Sequence, residues 1–85
     1  MSKYSVEITS GAEKELNRYV ARLQDRIIEK ILDLAGDPRP YGCKKLMDST
    51  NYRIRVGDYR VIYSIEDRAR IVKILDIGHR KDIYR

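Results

Sequence analysis

Asn51-Tyr52-Arg53-Ile54-Arg55-Val56-Gly57-Asp58-Tyr59-Arg60-Val61-Ile62-Tyr63-Ser64-Ile65 is the stretch that decides the fold. Apolar and polar residues alternate on both sides of Gly57-Asp58, and two alternating runs around such a two-residue pair predict a β-hairpin. Successive Cβ atoms of a strand point to opposite faces, so Tyr52, Ile54 and Val56 share one side and Arg53 and Arg55 the other. In the second run Tyr59, Val61, Tyr63 and Ile65 form the apolar set and leave Arg60 opposite, with Ile62 and Ser64. If both apolar sets meet the rest of the core, Arg53, Arg55 and Arg60 converge on the open face of the sheet.

Downstream, Asp67-Arg68 predicts a second turn into Arg70–Ile77, whose Ile71, Val72, Ile74, Leu75 and Ile77 show little alternation. That pattern suits a central strand covered on both faces. Upstream, Tyr4, Val6 and Ile8 alternate with Ser5, Glu7 and Thr9, which predicts a strand over residues 4–9. Ser10 and Glu13 have capping-box spacing and place a helix start right after it. Ala12, Leu16, Tyr19, Val20, Leu23, Ile27, Ile31 and Leu34 recur at three and four residues, one apolar helical stripe from 11 to about 35. A straight helix of that length would be about 37 Å long and overhang so small a domain, so a hairpin bending near Val20–Arg22 is expected. Gly36 sits where a left-handed C-cap belongs, and Asp37-Pro38-Arg39-Pro40-Tyr41-Gly42 cannot continue a helix, so residues 36–50 read as a loop. The order is β-α-α-β-β-β: an α+β fold with a helical hairpin on one face of a mainly antiparallel four-stranded sheet.

Eighty-five residues make one domain, 1–85, with a modest core. With 42% hydrophobic and 36% charged residues the chain should fold as a soluble globule. No apolar run is long enough to span a bilayer, and Met1-Ser2-Lys3-Tyr4 lacks the apolar segment of a signal peptide, which predicts a cytoplasmic protein with no membrane role. The lone Cys43 has no partner for a disulfide and no neighbour at metal-ligand spacing, in keeping with a reducing compartment.

The net charge of +5 is uneven: residues 1–37 hold 6 Lys/Arg against 7 Asp/Glu, and residues 38–85 hold 12 against 6. The second half is therefore the part suited to phosphate. Besides the three arginines it carries Lys44 and Lys45 on the loop and the tail Gly78-His79-Arg80-Lys81-Asp82-Ile83-Tyr84-Arg85, which can fold back beside them. The residues assemble no Ser/His/Asp or Cys/His pair, no metal-ligand cluster and no glycine-rich phosphate loop, so no metal or cofactor is expected. Cations, one histidine and tyrosine remain. That inventory suits RNA cleavage, in which the substrate's own 2′-hydroxyl attacks and the enzyme supplies a base, an acid and positive charge for the pentacoordinate phosphorane.

The stretch Tyr52–Tyr63, the ending Gly78–Arg85 and the loop from Asp37-Pro38-Arg39-Pro40 to Leu46 together resemble RelE-type toxins of the RelE/ParE superfamily, over nearly the whole chain. The resemblance implies a metal-independent endoribonuclease that cleaves messenger RNA in the ribosomal A site. It also implies restraint by a cognate RelB-like antitoxin, and it allows for operator DNA binding by the toxin–antitoxin complex. By the same resemblance Arg60 and Arg80 fall on the family's transition-state arginines and Tyr84 on its terminal catalytic tyrosine. Arg53 and Arg55 fall on the paired cations of the preceding strand, where some members carry lysines.

Arginine cannot readily exchange a proton, so Arg53 and Arg55 are expected to hold phosphate, with Lys44, Lys45, Lys81 and Arg85 around them. Proton transfer falls to Tyr84, whose anion clustered cations favour, and to His79, a residue type that changes charge near neutrality and is the candidate acid. Two other readings stand beside this one. A ParE-like inhibitor of DNA gyrase shares the fold and acts by binding, and a non-catalytic RNA-binding module needs positive charge alone.

Overall fold

Thr9 ends the first strand and starts the first helix. In the computed structural model, which describes residues 3–83, β1 (Ser5–Ile8) runs into α1 (Ser10–Asn17) with Thr9 as N-cap: extended backbone, its hydroxyl accepting the Ala12 amide at 3.2 Å. The cap expected at Ser10 therefore lies one residue earlier. The Thr9 carbonyl already accepts the Glu13 amide at 2.9 Å, and its hydroxyl donates to Leu75 O at 3.2 Å, which ties the helix start to the sheet.

The long stripe does break into a hairpin, at Arg18–Val20, with α2 spanning Ala21–Asp33. No Gly or Pro causes the break. Arg18 and Tyr19 close α1 with short i→i+3 bonds, Val20 turns extended, and the Gln24 side chain donates to the Tyr19 carbonyl at 3.0 Å. Tertiary packing decides it: the turn lets Ala12 and Leu16 of α1 and Ile27 and Ile31 of α2 bury against one sheet face. Gly36 does not take the expected left-handed conformation, because α2 ends in a further i→i+3 turn through Leu34, Ala35 and Gly36. Among the glycines, positive φ falls instead on Gly42 (91°) and Gly57 (60°), the latter at the first position of the two-residue hairpin turn, where a type II′ turn wants glycine.

The sheet has five strands, one more than expected: β2 (Lys44–Lys45), β3 (Tyr52–Val56), β4 (Tyr59–Glu66) and β5 (Ile71–His79) join β1 in the order β1-β5-β4-β3-β2. β1 runs parallel to β5 and the other pairs are antiparallel. The extra strand lies inside the 36–50 segment, which is no free loop. The buried Tyr63 hydroxyl donates to Pro38 O at 2.8 Å. Arg39 pairs with Asp67 at 2.9 and 3.2 Å and donates to the Tyr52 hydroxyl at 3.2 Å. Tyr4 donates to the same Asp67 at 2.6 Å. These bonds press residues 37–43 against the sheet and set Lys44 and Lys45 beside β3.

The weak alternation in β5 has another cause than two-sided burial. Ile62 pairs with Asp76 and Tyr63 with Ile74, so Leu75 is an extra residue, a β-bulge. The bulge resets parity: Val72, Ile74 and Ile77 all face the helices and are buried, while Lys73 and Asp76 point outward and are exposed. β5 also continues past Ile77 through Gly78 to His79, and the tail beyond it forms α3 (Arg80–Ile83). The core, from Ala12 through Tyr63 to Ile77, fills the space between the two helices and the sheet. No helix among the described residues is long and apolar enough to cross a membrane.

Candidate functional site

The face of the sheet away from the helices carries the cations. Arg55 lies directly across from Arg60, Arg53 is two residues along on the same face, and Lys44 of β2 lies across from Arg53. Side chains directly opposite in an antiparallel pair have Cβ atoms about 4.5–5.5 Å apart, and like charges so placed repel. Arg60 pairs on its other side with Gly78, so β5 offers no side chain at that position of this face. The next outward position of β5, across from Ile62, holds Asp76, whose carboxylate accepts its neighbour's amide from Ile77 at 3.0 Å.

Arg53 is only 6% exposed, the one charged side chain in the buried set, yet among the described residues it makes no hydrogen bond or ion pair. Its stem is packed away, but no guanidinium nitrogen is sealed from solvent without a partner, so the charged end can still meet a ligand. Arg55 is exposed and Arg60 half-buried, so charge on this face runs from a sunken Arg53 to an open rim. A surface so built attracts a polyanion, and guanidiniums engage phosphate through two parallel hydrogen bonds.

The structure brings together some of the predicted site residues and separates others. The Lys44–Lys45 pair is split by strand parity: Lys44 joins the arginines and Lys45, across from Tyr52, points to the other face. Arg80 opens α3 at the hairpin turn, with its amide donating to the Asp58 carbonyl at 2.9 Å. Arg80 and Lys81 are both exposed. Tyr84 and Arg85 lie outside the described residues. His79 is not with the arginines. It pairs with Tyr59 in register, on the helix side of the sheet, and meets the Tyr59 ring edge-on at 5.4 Å. Its Nδ1 is already engaged, accepting the Lys81 amide at 3.2 Å.

Sequence reading missed the Tyr4–Asp67–Arg39–Tyr52 clamp that positions β2. Arg39 and then Tyr4, by hydrogen-bonding its carboxylate, hold the Asp67 carboxyl down at about 2. The same contacts push the Arg39 guanidinium and the Tyr4 hydroxyl upward. The partners lie far apart in the chain, and no local spacing signals them. Among the described residues no group of three or more His, Cys, Asp or Glu is placed to hold a metal ion.

Comparison with known proteins now places this basic sheet among relatives. The family described as the ParE toxin of type II toxin–antitoxin systems matches residues 6–84. The chain therefore belongs to that toxin family. Within it the similarity is to RelE-type members: the chain is 33% identical to the toxin RelG of Mycobacterium tuberculosis, over 96% of this chain and 97% of that one. The toxin–antitoxin complex RelBE2 of the same organism matches with a TM-score of 0.82 and 30% identity, covering 92% of this chain and 99% of that one. An archaeal RelE–RelB complex from Pyrococcus horikoshii matches with a TM-score of 0.83 and 31% identity, covering 94% and 98%.

Proposed function

We propose that this toxin is a ribosome-dependent endoribonuclease that cleaves messenger RNA in the A site and so stops translation. The observation that carries the reading is the sunken Arg53 beside the facing Arg55 and Arg60 on one open sheet face, flanked by Lys44. In the proposed reaction the ribose 2′-oxygen attacks the adjacent phosphorus, the bond from phosphorus to the 5′-oxygen breaks, and a 2′,3′-cyclic phosphate and a 5′-hydroxyl result. Arg60 and Arg80 offset the charge of the phosphorane. Arg53, Arg55 and Lys44 hold the flanking phosphates. Guanidiniums keep their protons, so Tyr84 is left to take the 2′ proton. Solvent protonates the departing 5′-oxygen.

A RelB-like antitoxin is the partner this reading requires, and a cleft of about 320 Å³ between α2 and β3 supports it. Pro40, Tyr41 and Ile54 give that cleft apolar lining, while Lys30 and Arg55 outnumber Asp33 and leave it a net positive charge. An acidic amphipathic segment that folds on binding suits such a surface. The toxin then acts in the cytoplasm, where ribosomes are.

The description of the matched family as ParE favours a second reading, inhibition of DNA gyrase. The two separate in vitro. Purified protein added to a reconstituted translation system should cut ribosome-bound message and leave gyrase supercoiling unaffected. Arg60→Ala and Tyr84→Phe should each lower the cleavage rate by at least about 100-fold, the scale of losing a transition-state charge or a general base. Gyrase inhibition with intact message would overturn the ribonuclease reading in favour of the second.

A further inference from the structure

We infer that His79 is a positioning residue: its neutral imidazole is the N-cap of α3 and holds the segment that carries Arg80 and leads directly to Tyr84. Two bonds fix the start of this helix. The Arg80 amide donates to the Asp58 carbonyl at 2.9 Å, and the Lys81 amide donates to His79 Nδ1 at 3.2 Å. Counting His79 as N-cap makes Lys81 the second helical residue, the position whose orphan amide an N-cap side chain satisfies.

The imidazole is itself held in place. Its ring stands edge-on to Tyr59 at 5.4 Å, and Tyr59 in turn meets Tyr19 at 4.9 Å. The Tyr19 hydroxyl donates to Glu15 at 2.8 Å, and burial together with that bond pushes its ionisation upward. A column of three rings therefore runs from the turn between α1 and α2 to the end of β5 and fixes the direction of Nδ1. On the sheet this column occupies the face opposite Arg53, Arg55 and Arg60, which separates the His79 ring from the phosphate face.

Acid reverses the cap. Protonated at both nitrogens, the imidazole has no acceptor left for the Lys81 amide, and its charge opposes the positive end of the helix. Among the described side chains, the groups around it offer little to offset that charge. Tyr59 and Tyr19 are neutral rings, Glu15 lies beyond both of them, Asp58 gives its backbone carbonyl to Arg80, and Lys81 is a cation. Protonation of His79 thus removes the cap and weakens the start of α3. A general-acid role predicts the opposite sign, with cleavage lost as pH rises.

The cap is tested in the free full-length protein by amide hydrogen exchange, apart from any nuclease activity. The protection factor of Lys81 should fall roughly 2- to 30-fold when His79 is protonated, the population change expected for a lost N-cap. His79→Asn and His79→Ser, good caps that do not titrate, should keep that protection at all pH values. His79→Ala should lack it throughout, with its thermal melt confirming a folded core. Equal Lys81 protection in wild type and His79→Ala overturns the inference.

The activity arm rests on the ribonuclease reading. There His79→Asn should stay within about threefold of wild type and lose the acid-side decline, and His79→Ala should be slower at both ends of the profile. Inactivation by Asn as complete as by Ala would overturn the positioning role and make His79 the acid. Absence of cleavage in every protein, with the expected pattern of Lys81 protection, would overturn the ribonuclease reading and leave the cap standing.

Discussion

Tyr63→Phe should cost more stability than any other loss of a single tyrosine hydroxyl among the described residues, and the structure says how much. Tyr63 is fully buried, and its hydroxyl makes a 2.8 Å bond to the carbonyl of Pro38, itself buried, across 25 residues of sequence. Burial raises the ionisation of the phenol above its usual range, so the group is a neutral donor throughout the working pH. Replacing it with Phe leaves the ring packing intact and strands the Pro38 carbonyl away from water. An unsatisfied buried acceptor costs about 1–3 kcal/mol. For a domain of this size that converts to a fall in melting temperature of about 4–24 °C. Tyr52→Phe is the control. Its hydroxyl accepts from Arg39 at an exposed site, and its removal should stay within about 0.5 kcal/mol. Urea titrations followed by far-UV circular dichroism, with a common m-value, measure both. If Tyr63→Phe is no less stable than Tyr52→Phe, the loop bearing Pro38 is not anchored as described, and the placement of β2 and Lys44 falls with it.

Three further outcomes follow from the same contacts. Thr9→Ala should destabilise by about 0.5–2 kcal/mol and Ser10→Ala by under about 0.5 kcal/mol, since thermal denaturation will register which residue caps α1. The Asp67 carboxyl, held at about 2 against an ordinary 3.8, stabilises the fold fully above that ordinary value and loses its effect as pH falls toward 2. The difference in melting temperature between wild type and Asp67→Asn should therefore be constant from pH 7 to 5 and shrink toward pH 2; a constant gap would contradict the Arg39 pairing. Arg53→Met, which replaces a largely buried cation by an apolar side chain of similar length, should leave the fold intact while weakening RNA binding and flattening its salt dependence.

Much of this was legible in the chain because the information is local. Strand parity around Gly57-Asp58 placed Arg53, Arg55 and Arg60 on one face, and the helical stripe gave a hairpin packed on the other. What the sequence concealed depends on contacts distant in the chain. β2 is two residues long, Lys44–Lys45, and exists because Pro38 and Arg39 are tied to Tyr63 and Asp67. The bulge at Leu75 changes parity within a run that is apolar on both sides of it, so period alone suggested two-sided burial. The same bulge sets which way His79 points. Counting from a strand end at Ile77 sent the histidine into the tail beside the arginines, whereas β5 continues to His79 and turns it toward Tyr59.

The central claim is that this basic face cuts message on the ribosome, and mapping new mRNA 5′ ends after induction without antitoxin tests it most directly. The ends should carry 5′-hydroxyls, keep a fixed phase to the reading frame, and vanish with Arg60→Ala at equal protein level. Ends scattered without regard to codon position, or growth arrest with full-length messages, would contradict the account.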